Sequence, residues 1–135
     1  MQSDRSRTRA DPLRVLIVED EFLIADYFAG LVEDAGHEVV ATVATARETL
    51  DLLAAGTEAD VVSLDVKIPG GMDGVELGTA LRERGGPPFF FVTGSGEPMT
   101  RRRCEALSPL AILQKPVDPA AFAAVLQSLR RGAEG

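Results

Sequence analysis

The stretch Val61-Val62-Ser63-Leu64-Asp65 decides how the rest of the chain is interpreted, because an almost wholly apolar run of strand length ends there in one carboxylate. The next residues, Val66-Lys67-Ile68-Pro69-Gly70-Gly71, have no helical pattern and indicate a loop. Asp65 is therefore predicted at the carboxyl end of a buried strand, where open parallel sheets bind their ligands. Taken alone, Asp65 is better explained as a turn residue, since Asp is common in loops. A chemical role depends on what ends the other strands.

Composition predicts one acidic domain without a nucleic-acid function. The chain has 135 residues, of which 45% are hydrophobic, enough for one core of ordinary size. A net charge of -7 argues against nucleic acid as a partner, because phosphate backbones are bound through Lys and Arg. The single cysteine, Cys104, excludes an internal disulfide and is compatible with a reducing compartment. No membrane span or signal peptide is predicted, so we expect a cytoplasmic protein.

Apolar runs of strand length alternate with segments of helical pattern along the whole chain. The predicted strands cover residues 13–18, 38–42, 60–64, 89–92 and 110–113. The predicted helices cover residues 22–35, about 46–54, about 74–84, 98–107 and 119–131, with Thr45 and Asp73 as N-caps of the second and third. The first helix is expected to turn an apolar face inward, formed by Phe22, Ala25, Ala29, Val32 and Ala35.

Five strand-helix units joined by short connections leave no room for hairpins. Each right-handed crossover places its helix against the sheet, so helices cover both faces. The predicted fold is therefore α/β: a three-layer, doubly wound (βα)5 domain with a five-stranded parallel sheet over residues 13–131. Residues 1–12 are predicted to be a mobile N-terminal tail, and residues 132–135 a C-terminal tail.

Polar side chains follow four of the predicted strands. Glu19 and Asp20 come after the first, Asp65 after the third, Thr93 after the fourth and Lys115 after the fifth. Carboxylates a few ångströms apart need a counter-charge, and oxygen ligands without His or Cys favour Mg²⁺ over Zn²⁺. A lysine opposite the acids and a threonine hydroxyl suit phosphate oxygens. The pattern predicts a phosphoryl-transfer site at one edge of the sheet.

The sequence resembles the receiver domains of two-component response regulators over nearly all of residues 13–131. The resemblance is carried by the acidic pair in VLIVEDE, the acceptor in VVSLDVKIPGGMDG, the hydroxyl residue in FFFVTG and the lysine in ILQKP. Each motif alone is weak, but their order on alternating strand ends is specific. The resemblance implies a flavodoxin-like, chemotaxis-regulator-like fold with strand order 2-1-3-4-5 and a cis Lys115-Pro116 bond.

The resemblance also implies a role for each site residue. Asp65 is expected to accept a phosphoryl group from a histidine kinase or a histidine phosphotransferase. Thr93 and Lys115 are expected to contact the aspartyl phosphate, together with the backbone amide of Gly94. The expected Mg²⁺ ligands are Glu19, Asp20, Asp65 and the backbone carbonyl of Lys67. Such a protein is not a conventional enzyme, since it assists only its own phosphorylation and dephosphorylation.

Some features of the sequence differ from the usual family pattern or point to one subgroup of the family. The loop after Asp65 has one extra glycine in the segment 69–74, and Ile112 stands where receivers usually carry a Tyr or Phe that moves with the threonine. The segment 88–96 resembles the subgroup called FAT GUY, whose members often work with HWE-class kinases.

Glycines 94 and 96 suggest that phosphate orders the following loop and the start of the fourth helix. We expect no output domain after residue 131, and hence a stand-alone regulator acting through protein contacts or phosphate transfer.

Two other functions compete with this interpretation. A degenerate receiver acting as a phosphorylation-independent docking module is favoured by Ile112 and the longer loop, but disfavoured by the intact acids, threonine and lysine. A phosphohydrolase using Asp65 as nucleophile would resemble haloacid dehalogenase-type phosphatases, which need a second acid two residues later. Lys67 occupies that place, so turnover is not expected.

The remaining polar residues have simpler interpretations. Lys67 is at least as well explained as a solvated loop residue as by a role in phosphate lifetime. Arg101-Arg102-Arg103 is expected to be a solvated helix face, with docking of an acidic partner as the minority alternative. His37 is expected to be an ordinary loop residue and Cys104 a packing residue.

Overall fold

The structure is a computed structural model that describes the backbone of residues 11–134 and the side chains of residues 11–129. The predicted N-terminal tail lies outside the described residues except for Asp11 and Pro12. Five strands alternate with five helices: β1 Arg14–Val18, α1 Phe22–Asp34, β2 Glu38–Val43, α2 Ala46–Ala54, β3 Val61–Asp65, α3 Gly74–Glu83, β4 Phe89–Thr93, α4 Pro98–Glu105, β5 Ile112–Gln114 and α5 Pro119–Glu134.

All five strands form one parallel sheet in the order β2-β1-β3-β4-β5, which confirms the predicted topology. β1 and β3 are central neighbours, and Val18 at the end of one pairs with Leu64 next to the end of the other. β3 in turn pairs with β4 as far as Asp65 and Val92. The carboxyl ends of three adjacent strands therefore meet at one edge of the sheet.

The alternating side chains of the strands form two separate hydrophobic cores. Leu16, Leu64 and Phe91 face the core beneath α2, α3 and α4. Ile17 and Phe90 face the opposite core, with Phe28 of α1 and Phe122 of α5. Because each central strand is buried on both faces, it reads as a continuous apolar run in the sequence.

The phenylalanine run of β4 links the sheet to both helical layers. Phe89 and Phe91 make an edge contact on one face, with ring centroids 5.4 Å apart. Phe90 points to the other face and contacts the ring of Phe122 at 5.5 Å. All of these rings are buried, so β4 is fixed from both sides just before it reaches Thr93.

The predicted N-caps of α2 and α3 are both confirmed. The Thr45 hydroxyl accepts from the backbone N–H of Glu48, and the Asp73 carboxylate accepts from that of Glu76, each within a complete capping box. Such caps satisfy helix N–H groups that lack intrahelical partners. Asp73 therefore fixes where α3 begins, close to the site.

Several predictions about packing and boundaries are corrected. Phe22 was expected on the inward face of α1, but its side chain is 80% exposed, because the first turn of α1 lies beyond the carboxyl edge of the sheet. The inward residues are Ala25, Phe28 and Val32. The last strand is Ile112–Gln114, shifted toward Lys115 relative to the predicted 110–113. Helix α5 continues past Gly132 to Glu134, since one glycine costs a helix only about 1 kcal/mol.

His37 lies in the loop between α1 and β2, as predicted, and is buried there. Its side chain is 7% exposed, and its Nδ1 atom accepts from the backbone N–H of Leu13 at 2.9 Å. It thus joins the segments that precede β1 and β2, at the opposite edge of the sheet from Asp65. Cys104 is fully buried, as a packing residue should be, and burial raises the pKa of its thiol.

Candidate functional site

Three carboxylates meet where β1 and β3 end. Oxygen atoms of Glu19, Asp20 and Asp65 all lie within 4.8 Å of one another. Glu19 and Asp65 are 3% and 5% exposed, whereas Asp20 faces solvent. The pairing of β1 with β3 brings these residues together over 46 positions of sequence. Burying two acids beside a third is unfavourable without positive charge nearby.

Lys115 supplies positive charge to this cluster. Its Nζ lies 3.0 Å from Oε1 of Glu19 and 3.3 Å from Oδ2 of Asp65. The residue follows β5, and its backbone N–H donates to the carbonyl of Thr93 at 2.8 Å. The next peptide bond, to Pro116, is cis, as expected. The ammonium thus reaches across the sheet edge from the outer strand to the central pair.

The electrostatics of the cluster are dominated by burial. Desolvation and the charge of Glu19 raise the pKa of Asp65 to about 6, although Lys115 and a hydrogen bond from the Lys67 backbone act in the opposite direction. Burial lowers the pKa of Lys115, but its hydrogen bond to Glu19 and the charge of Asp65 outweigh this and leave it raised. Lys115 therefore stays protonated. Its single positive charge does not fully compensate the negative charges of the three carboxylates, since the pKa of Asp65 is still raised.

Asp65 is bonded through both of its side-chain oxygens. Oδ2 contacts Lys115, and Oδ1 accepts from the backbone N–H of Lys67 at 3.3 Å. The side chain borders an open cavity of about 450 Å³. The cavity is lined by Glu21, Ile24, Asp65, Lys67, Gly94, Ser95, Glu97 and Lys115. A group of phosphate size has room above the carboxylate.

Thr93 and Gly94 lie at the adjoining end of β4. Thr93 is buried, and its hydroxyl accepts from the backbone N–H of Ser95 at 3.0 Å. Gly94 lines the same cavity as Asp65. The structure therefore brings every residue predicted for the site to one edge of the sheet. Thr93 differs from the others because its hydroxyl is bonded within its own loop and not to Asp65.

Gly74 is a site residue that the sequence patterns did not identify. A Cβ atom at this position would lie 2.0 Å from the carbonyl oxygen of Asp65 and 2.8 Å from Cα of Val66. The backbone N–H of Gly74 donates to the carbonyl of Val66 at 2.8 Å. Only a residue without a side chain lets the start of α3 pack against the acceptor strand at this distance. The Asp-Gly sequence at 73–74 carries a signal for a cap, but none for this close approach.

An apolar surface borders the site on the side of α1. Phe22 and Leu23 are 80% and 78% exposed, directly after the acidic run. Beside them lies a cavity of about 370 Å³ lined by Ile24, Tyr27, Phe28, Lys115, Pro116 and Val117. The hydroxyl of Tyr27 donates to the carbonyl of Val117, which fixes α1 against the loop after β5. An acidic surface and an apolar surface therefore lie side by side next to Asp65.

Comparison with known proteins gives a consistent result. A family model described as the response regulator receiver domain matches residues 15–127. The curated relatives include the transcriptional regulatory protein YvrH of Bacillus subtilis, 31% identical over 84% of this chain and 47% of the relative. The phyllosphere-induced regulator PhyR of Methylorubrum extorquens is 30% identical over 83% of this chain and 41% of the relative. The chain spans about half, or less, of the length of these relatives.

Solved structures agree with the sequence matches. The receiver domain of a modulated diguanylate cyclase from Desulfovibrio desulfuricans superposes with a TM-score of 0.82 at 27% identity, covering 92% of this chain and 98% of that one. The chemotaxis protein CheY4 of Vibrio cholerae gives a TM-score of 0.75 at 30% identity, covering 87% and 98%. Separately, no helix within the described part of the chain has the length and apolar character to cross a membrane.

Proposed function

The chain belongs to the response regulator receiver domain family, and from this premise we propose that it accepts a phosphoryl group on Asp65 from a phosphohistidine of a partner protein. The partner is a histidine kinase or a histidine phosphotransferase. The observation that carries the proposal is the environment of Asp65. Its carboxylate is buried at a strand end, is contacted by Lys115 and borders a cavity open to solvent.

The proposed reaction is a displacement at phosphorus. An oxygen of Asp65 attacks the phosphorus atom, the bond to the donor imidazole nitrogen breaks, and its electron pair remains on the imidazole. Lys115, already within hydrogen-bond distance of Asp65, would neutralise an equatorial oxygen of the transferred group. The Thr93 hydroxyl and the Gly94 amide would contact the other phosphate oxygens. Positioning and charge neutralisation are the main contributions a protein makes to such a transfer.

The acidic cluster fits Mg²⁺ as the cofactor. Its side-chain donors are all carboxylate oxygens within 4.8 Å of one another, and its exposed member, Asp20, leaves room for bound water. We propose that Glu19, Asp20, Asp65 and the backbone carbonyl of Lys67 hold the ion. When bound, Mg²⁺ would supply the positive charge that Lys115 alone does not.

The proposal also covers the cellular location of the protein, the type of pathway and the class of its partner kinase. We infer a cytoplasmic signalling role in a two-component phosphorelay, with output through protein contacts or onward phosphate transfer. The FAT GUY subgroup and an HWE-class kinase remain predictions that rest on the phenylalanine run of β4. The relatives named as regulators support the signalling role.

Intact-mass measurement tests the proposal. The protein is incubated with Mg²⁺ and a small phosphodonor such as acetyl phosphate, beside an Asp65→Asn variant. One HPO3 adduct on the wild type and none on the variant is the expected result. No adduct on either protein would favour the docking module, and sustained consumption of the donor would favour a phosphohydrolase.

A further inference from the structure

A cavity of about 530 Å³ opens at the edge of the sheet opposite Asp65. It lies between the carboxyl ends of α2 and α3, and it is bordered by Arg14 at the start of β1 and by Pro87 just before β4. We call it the α2–α3 cavity. None of the residues proposed to hold Mg²⁺ or phosphate belongs to its lining. Its volume is in the range of cavities that bind small molecules, so its lining indicates what it could hold.

The walls of the α2–α3 cavity are largely apolar. Leu50 and Leu53 come from α2, Leu81 from α3, and Ala59 from the loop before β3. Leu81 is 1% exposed and belongs to the core beneath α2, α3 and α4, and both α2 leucines are partly buried against the same core. Because the core fixes these walls, an apolar chain lying against them would be removed from water without a rearrangement of the protein.

Arg14 lines the cavity but is occupied by neighbouring acids. Its Nε and Nη2 atoms donate to the carboxylate of Asp60 at 3.1 and 3.0 Å, and its Nη1 atom donates to Glu58. These bonds, the one to Asp60 first, outweigh burial and raise the pKa of Arg14, so its guanidinium stays charged. Glu58 is also in the lining, and this contact balances its negative charge. Glu58 would therefore repel a bound anion only weakly.

The second arginine of the lining, Arg84, is exposed at the C-cap of α3. Within the part of the chain whose side chains the structure describes, its guanidinium forms no ion pair and no hydrogen bond. Arg102 on α4 shares this property but does not border the cavity. A guanidinium carries five N–H donors in a planar fork that matches a carboxylate. Arg84 is thus an anion-binding group available beside an apolar wall.

The helix ends at this cavity oppose an anion less than helix carboxyl ends usually do. Such ends carry partial negative charge on carbonyls that lack intrahelical partners. Here the N–H of Thr57 donates to the carbonyl of Leu52 at 3.1 Å, and the N–H of Gly86 donates to the carbonyl of Leu81 at 2.8 Å. These closing bonds occupy part of the carbonyl set of α2 and α3. The side-chain charges of the lining therefore decide which ligand is favoured.

Charge separates this cavity from the apolar cavity beside α1. The lining of the α2–α3 cavity carries two arginines and one glutamate, a net charge of +1, in a chain whose net charge is -7. In the cavity of about 370 Å³ beside α1, the cation is Lys115, which is already paired with Glu19 and Asp65. A ligand with one negative charge is therefore attracted to the α2–α3 cavity and not to the cavity beside α1.

We propose that the α2–α3 cavity binds a medium-chain carboxylate reversibly. The acyl chain lies against Leu50, Leu53 and Leu81, and the carboxylate is bound by the guanidinium of Arg84. The site takes one negative charge joined to an unbranched apolar chain. It lies at the opposite edge of the sheet from Asp65 and does not depend on phosphorylation, so the two proposals are tested separately.

An NMR titration in metal-free buffer, without phosphodonor, tests the site. Decanoate is the probe, since it joins one carboxylate to an unbranched apolar chain. Saturable shifts are expected for the backbone amides of residues 50–59 and 81–86. Acetate lacks the chain and decyltrimethylammonium reverses the charge, so both should leave these amides unshifted at the same concentration. No saturable shift with decanoate, equal shifts with either control, or decanoate shifts confined to the cavity beside α1 would overturn the proposal.

Two pairs of variants test which groups bind the probe. Arg84→Gln removes the cation and should weaken decanoate binding by about fivefold or more, whereas Arg102→Gln should not change it. Ala54→Glu places a carboxylate in the lining and should weaken binding as strongly, whereas Ala55→Glu, next to it but outside the lining, should not. All four positions are exposed, so each variant should fold, which urea unfolding checks. Equal decanoate affinity within either pair would refute the assigned site.

Discussion

A Cβ atom on Gly74 would lie 2.0 Å from the carbonyl oxygen of Asp65, well inside contact distance. The start of α3 is therefore packed directly on the backbone of the acceptor. This contact, together with the hydrogen bond from Gly74 to Val66, fixes where the strand ends and where the carboxylate points. The site thus depends on a residue that contributes no side-chain chemistry.

Gly74→Ala should weaken both folding and phosphorylation. The methyl group forces β3 and α3 apart, and overpacking of this kind costs about 1–3 kcal/mol. We expect a lower midpoint of urea unfolding and slower adduct formation with a small phosphodonor. Gly30→Ala in α1 is the matched control, since a Cβ there meets nothing within 4 Å. That control should fold with equal or greater stability; a Gly74 variant that behaves like it would contradict the packing argument.

Lys115→Gln should separate phosphoryl transfer from metal binding. The variant loses the cation beside Asp65 and Glu19, and loss of one such charge from a transfer site costs about a hundredfold in rate. Mg²⁺ affinity should not fall, because a competing positive charge has been removed from the acidic cluster. Rates are followed by intact mass and Mg²⁺ affinity by calorimetry.

Lys67→Gln serves as the control for that experiment. Lys67 lines the same cavity but is exposed, and the bond it makes to Asp65 comes from its backbone. Its substitution should change the transfer rate far less than substitution of Lys115. Equal losses in the two variants would mean that overall charge, and not the contact to Asp65, governs the reaction.

Strand ends and helix starts were the most predictable parts of this molecule, and close contacts between elements the least. The apolar run ending at Asp65 and the acidic residues Glu19 and Asp20 were identified by pattern, because a strand buried on both faces leaves few alternatives. Phe22 was placed inside because helical spacing does not show how far a helix extends past its sheet. Gly74 was missed because its role depends on a backbone from another element. Both failures have the same cause. The spacing of apolar residues along one helix or strand does not show where that element lies relative to another.

The raised pKa of Asp65 predicts how stability depends on pH. Its pKa is about 6 in the folded protein and 3.8 when unperturbed, so the unfolded chain ionises first as the pH rises. Below about pH 4 both states are protonated and Asp65 has no effect. Between pH 4 and 6 the folded state loses stability relative to the unfolded state, and above pH 6 the full penalty is present.

Asp65→Asn should remove this penalty in metal-free buffer. The free energy of unfolding of the variant should exceed that of the wild type at pH 7.5, by up to about 3 kcal/mol, and the difference should vanish near pH 4. Urea titrations of both proteins at several pH values in EDTA measure it. Added Mg²⁺ should narrow or reverse the difference, since the wild type then gains a ligand that the variant binds poorly. A difference independent of pH would show that burial of the charge is not its cause.

The apolar residues beside the site predict how a protein donor is recognised. Leu23 is 78% exposed on the first turn of α1, next to the acidic residues and to the cavity formed with Pro116 and Val117. A donor presenting a phosphohistidine to Asp65 would cover this surface. Leu23→Ser should therefore slow transfer from a phosphorylated histidine protein by about tenfold, while the rate with a small phosphodonor stays unchanged. Leu110→Ser is the control, because Leu110 is also exposed but bonds to Phe89 at the opposite edge of the sheet. If both variants slow the protein donor equally, or if Leu23→Ser also slows the small donor, the surface around Leu23 does not select the partner.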